Sequence, residues 1–319
     1  MSTASTVPET YELEHDDARE TLRSTGNLQL AKSSFQRFRA ADGFSHSRAL
    51  AFQTVLTFVP GLIALVGLTA LVGQASFRRV VQHTLVGLAP GPAAKVLTQA
   101  FDHGGGTAPL VIGLIAALVA GTTAMGQLER GANRIYGVEK DRPTLQKYGR
   151  GFVLACTAGV LGLLGAVFFV AGSSLGSAGK SVGISDTLVT VWEVARWPLG
   201  AALVIAAFAV LFKKSPRRTQ PSASWLAVGS AVSVGLWIVF TALLSIYLTA
   251  SKSFGQTYGP LAGFIGILLW AFLTSLALYL GIAFAAQLEA VRAGVPSPHR
   301  GEERESPTLP TDARPPQRA

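Results

Sequence analysis

Six long apolar windows, separated by clusters of charge, constrain this chain more than any other feature. They run approximately from Ala49 to Val72, Ala108 to Gly126, Gly151 to Leu175, Trp197 to Phe212, Ala223 to Thr249 and Gly259 to Ala286. A helix needs about 20 residues to cross the hydrocarbon of a bilayer, and the windows have that length or nearly so. The fourth is the shortest. Its helix is predicted to begin a turn earlier, near Val191, which brings Glu193 and Arg196 to the outer interface. Only 14% of the residues are charged, against about 25% in a soluble domain. Lipid rather than water must solvate most of the chain.

The cations say which way round it threads. Lysines and arginines in successive segments number six before the first window, then three, six, two, four and one in the loops, and five after the last. Every even crossing returns to a rich segment, and the rich side faces the cytoplasm. The expected fold is thus all-α: an integral membrane bundle of six transmembrane helices, N and C termini cytoplasmic, plus short interfacial helices. The net charge of +9 does not indicate nucleic acid, because the cations sit where anionic headgroups attract them and no aromatic-interleaved basic face accompanies them. Lys213, Lys214, Arg217 and Arg218 read as a topology anchor. Membrane lipids are the expected partners, with envelope proteins as further candidates; no oligomeric state is implied.

Residues 1–27 are polar and acidic and lack the apolar run of a cleavable signal, so the first span is expected to act as an uncleaved one. They are predicted to be disordered, as is the segment 293–319 with its six prolines from Pro296 to Pro316. The membrane domain between them covers 28–292. Leu28, Ala31, Phe35 and Phe38 recur at helical spacing beside Lys32 and Arg39, which suits a helix on the cytoplasmic interface. Phe77, Val80, Val81, Leu85 and Leu88, and then Val96, Leu97, Ala100 and Phe101, suggest two short helices in the outer loop 73–107.

Polar groups inside spans are costly and point to function. Gln53, Thr54 and Thr57 precede Pro60, whose missing N–H kinks a helix. With Tyr258 and Gly259 at the start of the last span, Gln53, Thr57 and Pro60 form a candidate cavity or substrate path. The plainer alternative is a packing kink with Gln53 bonded across helices. Small residues at helix-packing intervals (Gly113, Ala117 and Gly121; Gly229 and Ser233; Gly259, Gly263 and Gly266) indicate a compact bundle. Glu129, Asn133, Arg134 and Tyr136 are candidates for a cytoplasmic contact with a headgroup or partner. Alternatively, Glu129 and Arg130 cap the second helix while Arg134 snorkels.

Catalytic machinery is not expected. Cys156 stands alone, so disulfides and thiolate metal sites are ruled out. Asp42 and His46 share a helix face, but two donors make a weak metal site, and a helix cap suits them equally. There is no HExxH, P-loop or CxxC pattern. No cofactor, metal ligand set or catalytic residue is assigned.

Three stretches together resemble the YihY/virulence factor BrkB family of bacterial inner-membrane proteins, once labelled ribonuclease BN. They are Ala49 to Phe52 with Phe58, Val59 and Pro60; Asn133-Arg134-Ile135-Tyr136-Gly137-Val138 followed by Arg142-Pro143; and Tyr258 to Gly263 with Leu268-Leu269-Trp270 and Leu280-Gly281. The resemblance covers about residues 30–290 and implies six spans and an envelope function linked to export or remodelling of lipids. One departure is clear: Ile282-Ala283-Phe284 stands where family members commonly carry a glutamate after the last-span glycine, and Glu289 lies farther on. Two roles are expected from this, a transporter or transport partner for a lipid or other amphiphile and a non-catalytic scaffold whose loop Glu129–Arg150 binds partners. A membrane-bound hydrolase or nuclease is disfavoured, because cleaving RNA needs metals or positioned acid–base groups that the soluble segments do not supply.

Overall fold

The computed structural model describes residues 3–10, 15–72, 78–79, 81–82, 98–99, 106–170, 185–250 and 261–298. Among them the regular structure is helical: α1 (His15–Thr25), α2 (Asn27–Ala40), α3 (Gly43–Val72), α4 (Thr107–Tyr136), α5 (Thr144–Val170), α6 (Asp186–Lys214), α7 (Ala223–Ala250) and α8 (Leu261–Arg292). Helices α3 to α8 are each long and apolar enough to cross a membrane. In hydrocarbon every backbone polar group must be satisfied within its own segment, and a helix does this. Their outward faces are correspondingly apolar: Phe52, Leu56, Val59 and Ile63 on α3, Ile112, Ile115 and Val119 on α4, and Ile238, Leu243 and Ile246 on α7 are all exposed. These side chains are the lipid-facing surface.

Each spanning helix packs on its neighbour in sequence, and α8 returns to α3, so the six close into a ring. Small residues set the closest approaches. A Cβ on Gly113 would lie 2.8 Å from the Pro60 carbonyl of α3, and a Cβ on Gly229 would lie 2.9 Å from the Gly281 carbonyl of α8. Helix α3 runs through Pro60 without a break.

The helices outrun their apolar windows at one end of the ring. Helix α3 starts at Gly43, α4 continues past Gly126 to Tyr136, α5 starts at Thr144, and α8 continues past Ala286 to Arg292. At the opposite end α6 starts at Asp186, earlier than the expected Val191; Arg196 there pairs with Glu193 at 2.9 Å and lies over the Trp197 ring. The polar extensions carry much of the positive charge, and the best-buried part of the molecule forms among them. There Leu30 and Phe38 of α2, Leu128 and Ile135 of α4, Phe212 of α6, Trp225 and Leu226 of α7, and Tyr279, Ile282 and Leu288 of α8 pack together.

The amino-terminal expectation needs correction. Residues 3–10 are placed, α1 is a helix, and Ala4, Val7 and Ala18 are buried in this same core. Acidic composition hid this, because only three apolar side chains are needed to dock the segment. Residues 293–298 also follow the protein, with Val295 N–H donating to Ala290 O and Gln287 Nε2 to Pro296 O at 2.7 Å; the tail beyond them lies outside the described residues. Helix α2 is turned differently from its apolar stripe: Phe38 points inward with Leu30, Ser34 and Arg37, while Leu28 and Phe35 remain exposed beside Lys32 and Arg39. The short outer helices expected within 73–107 lie almost wholly outside the described residues.

Candidate functional site

The last turns of α4 place Glu129, Asn133 and Tyr136 at i, i+4 and i+7, hence on one face. That face points inward, and all three are buried, Asn133 and Tyr136 almost completely. The helix ends at Gly137, whose φ of 81° is one that only glycine adopts readily. Val138 N–H then donates to Asn133 O and Gly137 N–H to Arg134 O, a paired closure of the helix terminus. This turn folds the α4–α5 loop back under the bundle.

Three acids organise what lies there. Glu129 does not cap its helix. It pairs with Arg142 at 3.0 Å and accepts the Arg142 N–H, while the Arg142 guanidinium donates to Ser215 O and Pro216 O in the α6–α7 loop. Asn133 joins the same two loops: its amide donates to Asp141 at 2.9 Å and its carbonyl accepts Arg217 N–H at 2.7 Å. Asp141 is surrounded by Arg130, Lys147 and Arg134 at 3.5, 3.5 and 3.9 Å. Burial acts to raise its pKa, but the Asn133 hydrogen bond and the three cations prevail and hold it below the usual carboxylate range. Arg134 folds back and donates to Val138 O and Glu139 O.

The third acid is Glu289 on α8, paired with Arg218 at 2.7 Å, with side chains exposed by 0% and 2% respectively. Arg218 also lies over the Tyr136 ring at 4.6 Å. Nearby, Arg37 of α2 donates to Gln287 Oε1 at 2.7 Å and to Ile135 O. Burial pushes the Arg37 guanidinium down to about 10, still charged at neutral pH, so it must be met by acceptors. The N-terminal segment supplies some, since Arg37 Nη1 donates to Ser5 O and Arg218 Nη2 to Pro8 O, and the Thr10 hydroxyl bonds to Glu289. The polar assembly thus draws on α2, α4, α8, both loops and the amino-terminal segment.

The in-membrane candidates sit on the α3–α4 contact. Gln53 Oε1 accepts the Thr123 hydroxyl at 3.0 Å, the Thr57 hydroxyl donates to Gln53 O, and the Pro60 carbonyl faces Gly113. The structure brings Gln53, Thr57 and Pro60 together on one face; Tyr258 and Gly259 lie outside the described residues. Asp42 takes the capping position before α3: its carbonyl accepts the N–H groups of Ser45 and His46, and its carboxylate accepts the Ser45 hydroxyl. His46 instead faces Gln127 of α4, with Nδ1 3.3 Å from Nε2. Sequence reasoning missed Arg37, Arg218, Gln287 and Glu289 as a group. Four residues on three distant segments leave no spacing to read.

The similarities to known proteins agree with this architecture. The family described as Virulence factor BrkB matches residues 34–306. A Bacillus subtilis protein named ribonuclease-like, YfkH, is 25% identical over 80% of this chain and 93% of its own length. UPF0761 membrane proteins are similar as well: one from Alteromonas mediterranea is 26% identical over 75% of this chain and 80% of its own, and one from Ralstonia nicotianae is 28% identical over 77% and 55%. No solved structure matches the chain significantly. With six membrane-spanning helices and a match over most of its length, the chain belongs to the BrkB family of multi-pass bacterial membrane proteins.

Proposed function

We propose that this chain resides in the bacterial inner membrane with its basic end in the cytoplasm, and that it moves, or helps to move, a lipid or other amphiphile of the cell envelope. The path opens where Gln53 and Pro60 now pack against Thr123 and Gly113 of α4, with Thr57 beside them, and the polar assembly at the basic end is its cytoplasmic closure. One observation supports this reading above others: the Arg218–Glu289 pair is wholly buried where the helix ends meet. Taking two charges out of water costs several kcal/mol per ion, and a static anchor has no need of them. A closure that must open and reseal does, because ionic contacts can be exchanged for water.

The scaffold alternative places its partner on the loop Glu129–Arg150; Glu129, Asn133 and Tyr136 are buried, which leaves that role to the loop's exposed residues such as Glu139 and Lys140. The proposed role needs no catalytic residue, metal or cofactor, and no nucleic acid.

The test is made in cells lacking the chain. Wild-type protein should restore the leaflet distribution of phospholipid, read with a membrane-impermeant amine reagent, together with detergent resistance. Pro60→Leu and Gln53→Leu, inserted at wild-type levels, should not. If both variants restore the wild-type distribution, the proposed path is wrong.

A further inference from the structure

The carbonyls of Arg134, Ile135 and Tyr136 end α4 with no further helical turn to donate to them, as at any helix C-terminus, and Arg134 O keeps one capping bond from Gly137 N–H. In this chain the amino-terminal segment lies across them. Ala4 N–H donates to Arg134 O and Val7 N–H to Tyr136 O, each at 3.1 Å, and Ser5 N–H donates sideways to Pro298 O at 3.1 Å. Two buried guanidinium groups complete the frame: Arg37 donates to Ser5 O at 2.9 Å and Arg218 to Pro8 O at 2.8 Å. Ala4 and Val7 are buried, whereas Thr6, Pro8 and Glu9 are exposed.

Main-chain hydrogen bonds for affinity, with a few buried side chains for selectivity, are how proteins hold non-helical peptides. Gly137 allows the approach, since a Cβ there would meet the backbone of Ser5 and Thr6. An open hollow of about 710 Å³, lined by Ser5, Thr6, Gly137, Val138, Glu139 and Lys140, flanks the segment. The groups that receive it, from Arg37 through Arg134, Tyr136, Gly137 and Arg218 to Pro298, lie within the family match at 34–306, while the segment itself lies ahead of it. The receiving surface therefore lies inside the matched region, and the segment that occupies it lies ahead of that region.

We propose that the basic end carries a peptide-binding groove and that this chain fills it in cis with residues 3–10. The ligand is a short non-helical peptide with small apolar side chains three positions apart, as Ala4 and Val7 are. This assignment does not depend on the transport reading.

The experiment uses the detergent-purified chain with residues 2–12 deleted and a fluorescein-labelled peptide of residues 2–12. Anisotropy should rise saturably with the truncated chain and stay flat with the full chain, whose groove is occupied. A peptide carrying Val7→Asp should bind at least tenfold more weakly, because the site would have to bury a lone carboxylate. Binding to neither form overturns the proposal, as does equal binding to both. Should the truncated chain not stay folded, the full-length Val7→Asp chain replaces it. The wild-type peptide must then bind that variant and not the wild-type chain, and absence of binding counts equally against the groove.

Discussion

Glu289 shows how one buried carboxylate can hold several segments at once. It receives Arg218 from the α6–α7 loop and Thr10 from the amino-terminal segment. Removing one member of such a pair leaves the other charge buried and uncompensated, which costs about 3–5 kcal/mol. Glu289→Ala should therefore lower stability by about that amount in equilibrium unfolding from mixed micelles. The double substitution Glu289→Met with Arg218→Met should recover more than half of the loss, because no lone charge remains; a double variant weaker than the single would contradict this account. Asp141 offers a pH test. Its folded pKa is depressed by Asn133, Lys147, Arg134 and Arg130 against the effect of burial. Its stabilisation is thus complete above the unfolded value of about 3.9 and is lost as pH falls through the lower folded value. The thermal midpoint in detergent should drop on acidification below about pH 4, and Asp141→Asn should flatten that part of the profile while lowering the midpoint at neutral pH.

Helices meet here through small residues, since lipid gives apolar side chains little reason to prefer each other. The α7–α8 crossing is the sharpest case. A methyl group on Gly281 would collide with the Ser233 hydroxyl and lie 2.7 Å from the Gly229 carbonyl, whereas one on Gly235 of α7 would meet nothing within 4 Å. Gly281→Ala should destabilise by about 1–3 kcal/mol, the cost of overpacking. Gly235→Ala should be neutral or slightly stabilising, as expected for glycine replaced inside a helix. Comparing the two by thermal unfolding separates close approach from helix propensity. The spans themselves were legible as apolar windows, but their polar ends were not. Residues 127–136 and 287–292 stay helical because tertiary partners satisfy them: Glu129 by Arg142, Asn133 by Arg217 and Asp141, Gln287 by Arg37. The exposed Leu28 and Phe35 of α2, next to Lys32 and Arg39, fit a helix whose outer side meets headgroups.

Taken together, the six spans form a ring with the polar assembly at one end, and residues 3–10 and 293–298 are both part of that assembly. Ser5 bonded to Pro298 puts the segments that flank the six spans on the same side, as an even number of crossings requires. The proposed orientation, for which the lysine and arginine counts argue, makes that side cytoplasmic. Reporter fusions after Lys180 and after Pro216 should accordingly report opposite compartments, the first outside and the second cytoplasmic; the same compartment for both would break the six-span topology.

Hydropathy and charge count are sums over neighbouring residues, so span number, helical class and expected orientation could be read directly from the chain. The Asn133 to Val138 motif was legible as a resemblance, though not its place at the terminus of α4. The polar assembly was not legible, because Arg37, Asn133, Arg218 and Glu289 are brought together only when distant segments fold against each other. Nor was the docking of residues 3–10, whose anchors are helix-end carbonyls and buried guanidinium groups that exist as a surface only in the assembled bundle. Local composition chooses the solvent of each segment; three-dimensional packing chooses its partners.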